Sequence, residues 1–86
     1  PRTRAAARRI VGLGLYHQGR LREAIEELCV AVALAEESGD PLALSAALND
    51  RGFVYGYTGD YRRAVDDHTA ALAAACDLDA GRARAA

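Results

Sequence analysis

Displaced by 40 positions, the chain falls onto itself, and this internal repeat limits the available folds more than any other feature. Pro1, Ala6, Ala7, Gly12, Gly19, Arg22, Ala24, Ala31, Ala33 and Ala35 land on Pro41, Ala46, Ala47, Gly52, Gly59, Arg62, Ala64, Ala71, Ala73 and Ala75. Between the identities, size and polarity are kept: Leu13 matches Phe53, Leu15 matches Tyr55, Leu21 matches Tyr61, Ile25 matches Val65 and Val32 matches Leu72. A period of about 20–50 residues marks supersecondary units that stack on one another. The repeat divides the chain into residues 1–40, residues 41–78 and a tail, 79–86, that starts a third unit or forms a capping helix.

Each unit is expected to form helix, turn, helix. With 20 alanines and 11 arginines but no lysine, methionine or tryptophan, the composition favours helix and suggests a GC-rich coding source. Gly19-Arg20 and Gly59-Asp60 mark the turns within units, because glycine just past a helix end takes positive φ without a Cβ penalty. Between units, Gly39 closes one helix, Asp40 caps the next, and Pro41 takes the first helical position, where its missing N–H costs nothing. In the second helix of unit one, Leu21, Ala24, Ile25, Leu28, Ala31, Val32 and Ala35 recur at the spacing of one helical stripe. Tyr61, Ala64, Val65, His68, Ala71, Leu72 and Ala75 repeat it. The predicted helices are 3–18, 21–38, 41–58 and 61–77. Because the first residue is Pro1 and the pattern runs to both ends, the chain is expected to be part of a longer array.

The pattern resembles the tetratricopeptide repeat family over nearly the whole chain. The residues that carry the resemblance are Gly52, Tyr55, Gly59, Tyr61, Ala64, Ala71 and Leu72 in unit two, and Gly12, Gly19, Ala24 and Ala31 in unit one, with Leu15 and Leu21 at the aromatic places. The 40-residue period is similar to the long-repeat variant of G-protein-signalling modulators, kinesin light chains and many bacterial regulators. The resemblance implies an all-α fold of antiparallel hairpins stacked as a right-handed superhelix, a fragment of an α-solenoid. Two features depart from the family pattern. Arg51 occupies a place that is normally packed and matches Val11 of unit one, so it is expected to reach a carboxylate such as Asp50 or to mark a rotated helix. The family's late proline is also absent.

Composition and motif content narrow the function classes. A net charge of -1 lacks the basic footprint of nucleic-acid binding, and only Arg2, Arg4, Arg8 and Arg9 cluster. No apolar stretch is long enough to span a bilayer, and the placement expected is cytoplasmic. Cys29 and Cys76 either form one long-range disulfide or act as small apolar fillers. The two histidines, two cysteines and two serines fall in no Cys-x-x-Cys pair, His-Glu-x-x-His helix or glycine-rich elbow, so neither catalysis, cofactor nor metal is expected. His68 is expected to be a satisfied core histidine. Asp66 and Asp67 are expected to form surface pairs with Arg62 and Arg63, and Glu23, Glu26 and Glu27 to accompany Arg20 and Arg22.

Binding is then the expected activity. In stacked hairpins the first helices line an inner groove, where the resemblance places Arg9, Leu13, Tyr16 and His17 of unit one and Asn49, Asp50, Phe53 and Tyr57 of unit two, with Ala6, Ile10, Ala46 and Gly56 between them. Tyr16, Phe53 and Tyr57 supply rigid contact area, Arg9 and Asn49 directional hydrogen bonds. Leu13 and Phe53 either face a partner or pack helix against helix. The expected partner is another protein or peptide. The resemblance does not extend to the family's carboxylate clamp, since Asp50 puts a negative charge where the family would have an amide, so a chaperone C-terminus is not the expected partner. Two alternatives remain: self-association through repeat ends near Ala5, Ala70, Ala74 and Leu78, and sensing or docking within a multidomain regulator.

Overall fold

In the computed structural model, residues 3–85 are described, with side chains through residue 77. Four helices follow one another: α1 (Arg4–His17), α2 (Leu21–Ser38), α3 (Pro41–Thr58) and α4 (Tyr61–Ala85). The chain is all-α over the described residues. Each helix packs on the next, and α1 also meets α3 directly. Among the described residues α1 makes no comparable approach to α4, so the helices form an open row rather than a closed four-helix bundle.

The punctuation expected from the sequence sets the helix ends. Gly19, Gly39 and Gly59 have φ of 77°, 67° and 90°, in the left-handed region. Both hairpins close in the same way, with Arg20 N–H donating to the Leu15 carbonyl and Asp60 N–H to the Tyr55 carbonyl, each at 2.9 Å. The Asp40 carboxylate accepts from the Leu42 and Ala43 N–H groups at 3.1 and 3.2 Å, ahead of Pro41. At α1, Thr3 Oγ1 accepts from Ala6 N–H at 3.0 Å. The fourth helix differs from its expected end at residue 77. It runs unbroken to Ala85, so residues 79–85 are helical and continuous with α4.

The core is narrow. Ala24, Leu28 and Val54 form one buried cluster, with Leu15, Tyr16, Leu21 and Ile25 against it. Ala31, Val32, Ala47, Leu48 and Ala71 form the other, with Leu44 against it. Among the described residues, Leu28 and Val54 are the largest fully buried side chains, each contributing about 1.5–3 kcal/mol on burial. The remainder is largely alanine, which brings helix backbones close together.

Two glycines mark where the hairpins close most tightly. A Cβ on Gly12 would stand 2.8 Å from Leu28 Cγ, and one on Gly52 would stand 3.0 Å from Asp67 Cβ and 3.1 Å from His68 Cε1. Since His68 is the counterpart of Leu28 under the 40-residue shift, the two units fold about the same point.

The stripe expected on α4 needs correction. Within residues 61–77, Ala64, Asp67, Ala71 and Ala74 are buried, while Tyr61, Val65 and Leu72 are exposed. The helix therefore faces α3 with a row displaced from the one that its large residues mark. His68 is no core histidine. It lies exposed, and its Nδ1 is 3.1 Å from Asn49 Oδ1.

Candidate protein-binding face

The adjacent helices α1 and α3 carry all of the predicted groove residues, and two sets of them meet. The first is polar. Arg9 Nε donates to Asp50 Oδ2 at 2.7 Å, a partly buried ion pair that ties α1 to α3. The second is aromatic. Tyr16 makes edge contacts with three rings: His17 at 5.1 Å between centroids, Phe53 at 5.2 Å and Tyr57 at 5.3 Å. Tyr16 is half-buried on the core cluster of Leu28 and Val54, whereas His17, Phe53 and Tyr57 stand exposed around it.

Helical spacing produces this arrangement. Phe53 and Tyr57 are four residues apart on α3 and share one face. Tyr16, next to the α1 turn, reaches between them. Tyr16, His17, Gly19, Leu21 and Tyr57 line an open depression of about 310 Å³ at the turn end of this face. Ile10 is exposed and Leu13 half-buried farther along α1. Because Arg9 and Asp50 neutralise each other, the face presents ring edges and carbon with little unbalanced charge.

Two predicted groove residues turn elsewhere. Asn49 is held by His68 of α4, as neighbours on a helix point about 100° apart and Asp50 already faces α1. A Cβ on Gly56 would lie 3.7 Å from Ala64 Cβ, so that glycine faces α4 and not the groove.

The charged residues outside the face also depart from expectation. Arg51 pairs with Asp67, not Asp50: its Nε and Nη2 donate to the two carboxylate oxygens at 2.8 Å each. With 21% and 8% of these side chains exposed, the pair is largely buried, and the carboxylate holds Arg51 charged well beyond its ordinary range. Arg51 Nη1 also lies 3.7 Å from Cys29 Sγ. Asp67 is thereby lost to Arg63, which pairs with Asp60 at 3.1 Å instead. Glu27 accepts from Arg8 at 3.0 Å, across the first hairpin, while Arg20 pairs with Glu23. The repeat alignment holds the signal for the Arg51–Asp67 pair, since a charge replaces Val11 on α3 and an acid sits one turn before the buried Ala71.

Cys29 and Cys76 are free thiols, the first half-buried and the second exposed. Of the signature residues, Gly12, Ala24, Ala31, Gly52, Ala64 and Ala71 are buried; Tyr55 is half-buried, with Arg51 and Arg63 at 5.9 and 5.8 Å from its ring centroid. Tyr61, expected to pack, is exposed. Among the described residues, no group of three or more histidine, cysteine or acidic side chains is placed to hold a metal ion, and no helix is long and apolar enough to cross a membrane. No protein-family model matches the chain, and no curated protein or solved structure is detectably similar to it.

Proposed function

We propose that this chain is a protein-binding module of the tetratricopeptide type, which takes a peptide or helix of a partner protein along the face of α1 and α3. The observation that carries the reading is the aromatic group on that face, with Tyr16 seated on the core and Phe53 and Tyr57 exposed beside it. Rigid aromatic side chains provide contact area at low entropic cost and dominate the energetics of many interfaces.

The order of helix contacts and the matched close approaches at Gly12 and Gly52 support the repeat assignment. The mutual pairing of Arg9 and Asp50 favours an apolar partner surface, such as one side of an amphipathic helix, over a highly charged tail. The charged groups of the face satisfy each other instead of converging on a common point, so recognition rather than catalysis is assigned to it. A cytoplasmic setting accompanies this reading.

The test is a display selection of random peptides on the immobilised chain, with a Tyr16→Ala/Tyr57→Ala variant of unchanged helicity as the counter-target. Peptides that bind the parent chain and lose at least about tenfold on the variant, or about 1.4 kcal/mol, are expected. Peptides that bind both proteins equally would place recognition elsewhere.

A further inference from the structure

Away from the aromatic face, the helices leave a groove of a different electrostatic character. Among the described residues α2 and α4 each pack on α3 and do not approach one another, so a channel runs between them with α3 as its floor. Its main cavity holds about 560 Å³. Half-buried Leu44 and the outer edges of Val32 and Leu48 supply carbon at the bottom, while Ala70, Ala73 and Ala74 line the α4 wall. A smaller cavity of about 200 Å³ extends the groove to the Gly39-Asp40-Pro41 turn.

The walls are acidic. Glu36 stands on α2, and Asp66 and Asp77 stand on α4; all three are exposed, and none is in an ion pair among the described residues. The bases that could answer them are committed elsewhere. Arg51, the only cation among the described lining residues, is held through both oxygens of Asp67, and Arg63 is held by Asp60. Arg62, four residues before Asp66, does not pair with it. The aromatic face, in contrast, has its charges balanced by the Arg9–Asp50 pair.

A ligand that gains from this groove carries positive charge, and the carbon floor requires an apolar side as well. A bare metal ion does not meet that description, since no three acidic, histidine or cysteine side chains converge among the described residues. The walls and floor are helix surfaces, which offer no open backbone edge to an extended peptide, whereas a helix brings its own backbone hydrogen bonds. The alanines of the α4 wall let such a helix come close, and Asp66 and Asp77 lie about 16 Å apart along α4, or three turns of a guest helix. We propose that the groove between α2 and α4 docks a basic amphipathic helix of a partner protein, with its small apolar side on Leu44 and Leu48 and lysines or arginines on its flanks against Glu36, Asp66 and Asp77. The proposal is independent of the peptide-binding face on α1 and α3.

The probe is a synthetic helix of about 18 residues, with leucine and alanine on one side and lysine along both flanks, titrated into the chain at low ionic strength and followed by fluorescence anisotropy. One control permutes the same residues so that no apolar side remains; a second replaces lysine by glutamate. The lysine helix should bind, and each control should bind at least about tenfold more weakly. Glu36→Gln/Asp66→Asn/Asp77→Asn should weaken the lysine helix at least about tenfold with helicity unchanged, because all three side chains are exposed. Ala70→Arg, which sets bulk and a like charge in the groove, should do the same, and Tyr16→Ala/Tyr57→Ala should bind as the parent chain does. No binding of the lysine helix, equal binding of the permuted peptide, indifference to the groove substitutions, or loss of binding in the tyrosine variant would each overturn the proposal.

Discussion

The two hairpins have the same outline and are closed by different chemistry. Over Gly12, the first hairpin packs the fully buried Leu28; over Gly52, the second packs Asp67 and the edge of His68, with Arg51 reaching across to the carboxylate. The repeat thus fixes where helices approach but leaves open whether carbon or a salt bridge fills the contact. Leu28 yields its free energy by leaving water. The Arg51–Asp67 pair offsets a desolvation cost with Coulomb attraction and gains chiefly in geometry.

The largest contrast is expected at the matched positions themselves. Leu28→Ala should cost about 3 kcal/mol in chemical denaturation, through lost transfer energy and a cavity, whereas His68→Ala should change stability by less than about 0.5 kcal/mol. Equal costs would mean that the hairpins are closed alike after all.

Next in size is the ion pair. Asp67→Ala should cost about 2 kcal/mol, because Arg51 is left charged and largely buried, and Arg51→Leu/Asp67→Leu should recover most of that loss. Glu27→Ala, at the matching place in unit one, should cost no more than about 0.5 kcal/mol, since the Arg8–Glu27 pair is more exposed.

A difference of about the same size separates the outer rows. At concentrations that keep the chain single, Val32→Ser should cost about 2 kcal/mol, from the lost transfer of a buried valine, and Leu72→Ser less than about 0.5 kcal/mol. Thermal melts of the two variants side by side measure this.

The smallest effect concerns pH. Burial first, then the neighbouring Cys29, pushes the Tyr55 phenol above its ordinary pKa of 10.0, with Arg51 opposing. A group whose folded pKa is raised contributes stability that is fully present below the unfolded pKa and is lost as pH rises through the folded one. Tyr55→Phe should therefore soften the alkaline loss of stability above about pH 10. Unit one has Leu15 at that place, and Leu15→Met should leave the alkaline limb unchanged.

Much of this architecture was legible in the sequence because it depends on local chemistry. Gly19, Gly39 and Gly59, together with Asp40 and Pro41, set the breaks, so α2 and α3 have their predicted bounds. The end of α4 was less legible: Gly81 there lies within a helix instead of following one. Side-chain partners depend on how each helix is rotated against its neighbours, which periodicity does not determine. On α4 the large residues mark one row and the small ones the adjacent row, and it is the small ones, with Asp67, that meet α3. For the same reason Asp50 answered Arg9 and left Arg51 to Asp67. The contact among Tyr16, Phe53 and Tyr57 was readable because helical spacing alone brings Phe53 and Tyr57 to one face, while Asn49 and Gly56 depended on rotation and turned to α4.

The most direct test of the proposed binding role is a chemical-shift titration of the isotopically labelled chain with a selected peptide. The account predicts that amide shifts concentrate at Arg9, Leu13, Tyr16, His17, Phe53 and Tyr57, with Val65 and Leu72 unmoved. Shifts centred on Val65 and Leu72, with the aromatic group of α1 and α3 unaffected, would contradict it.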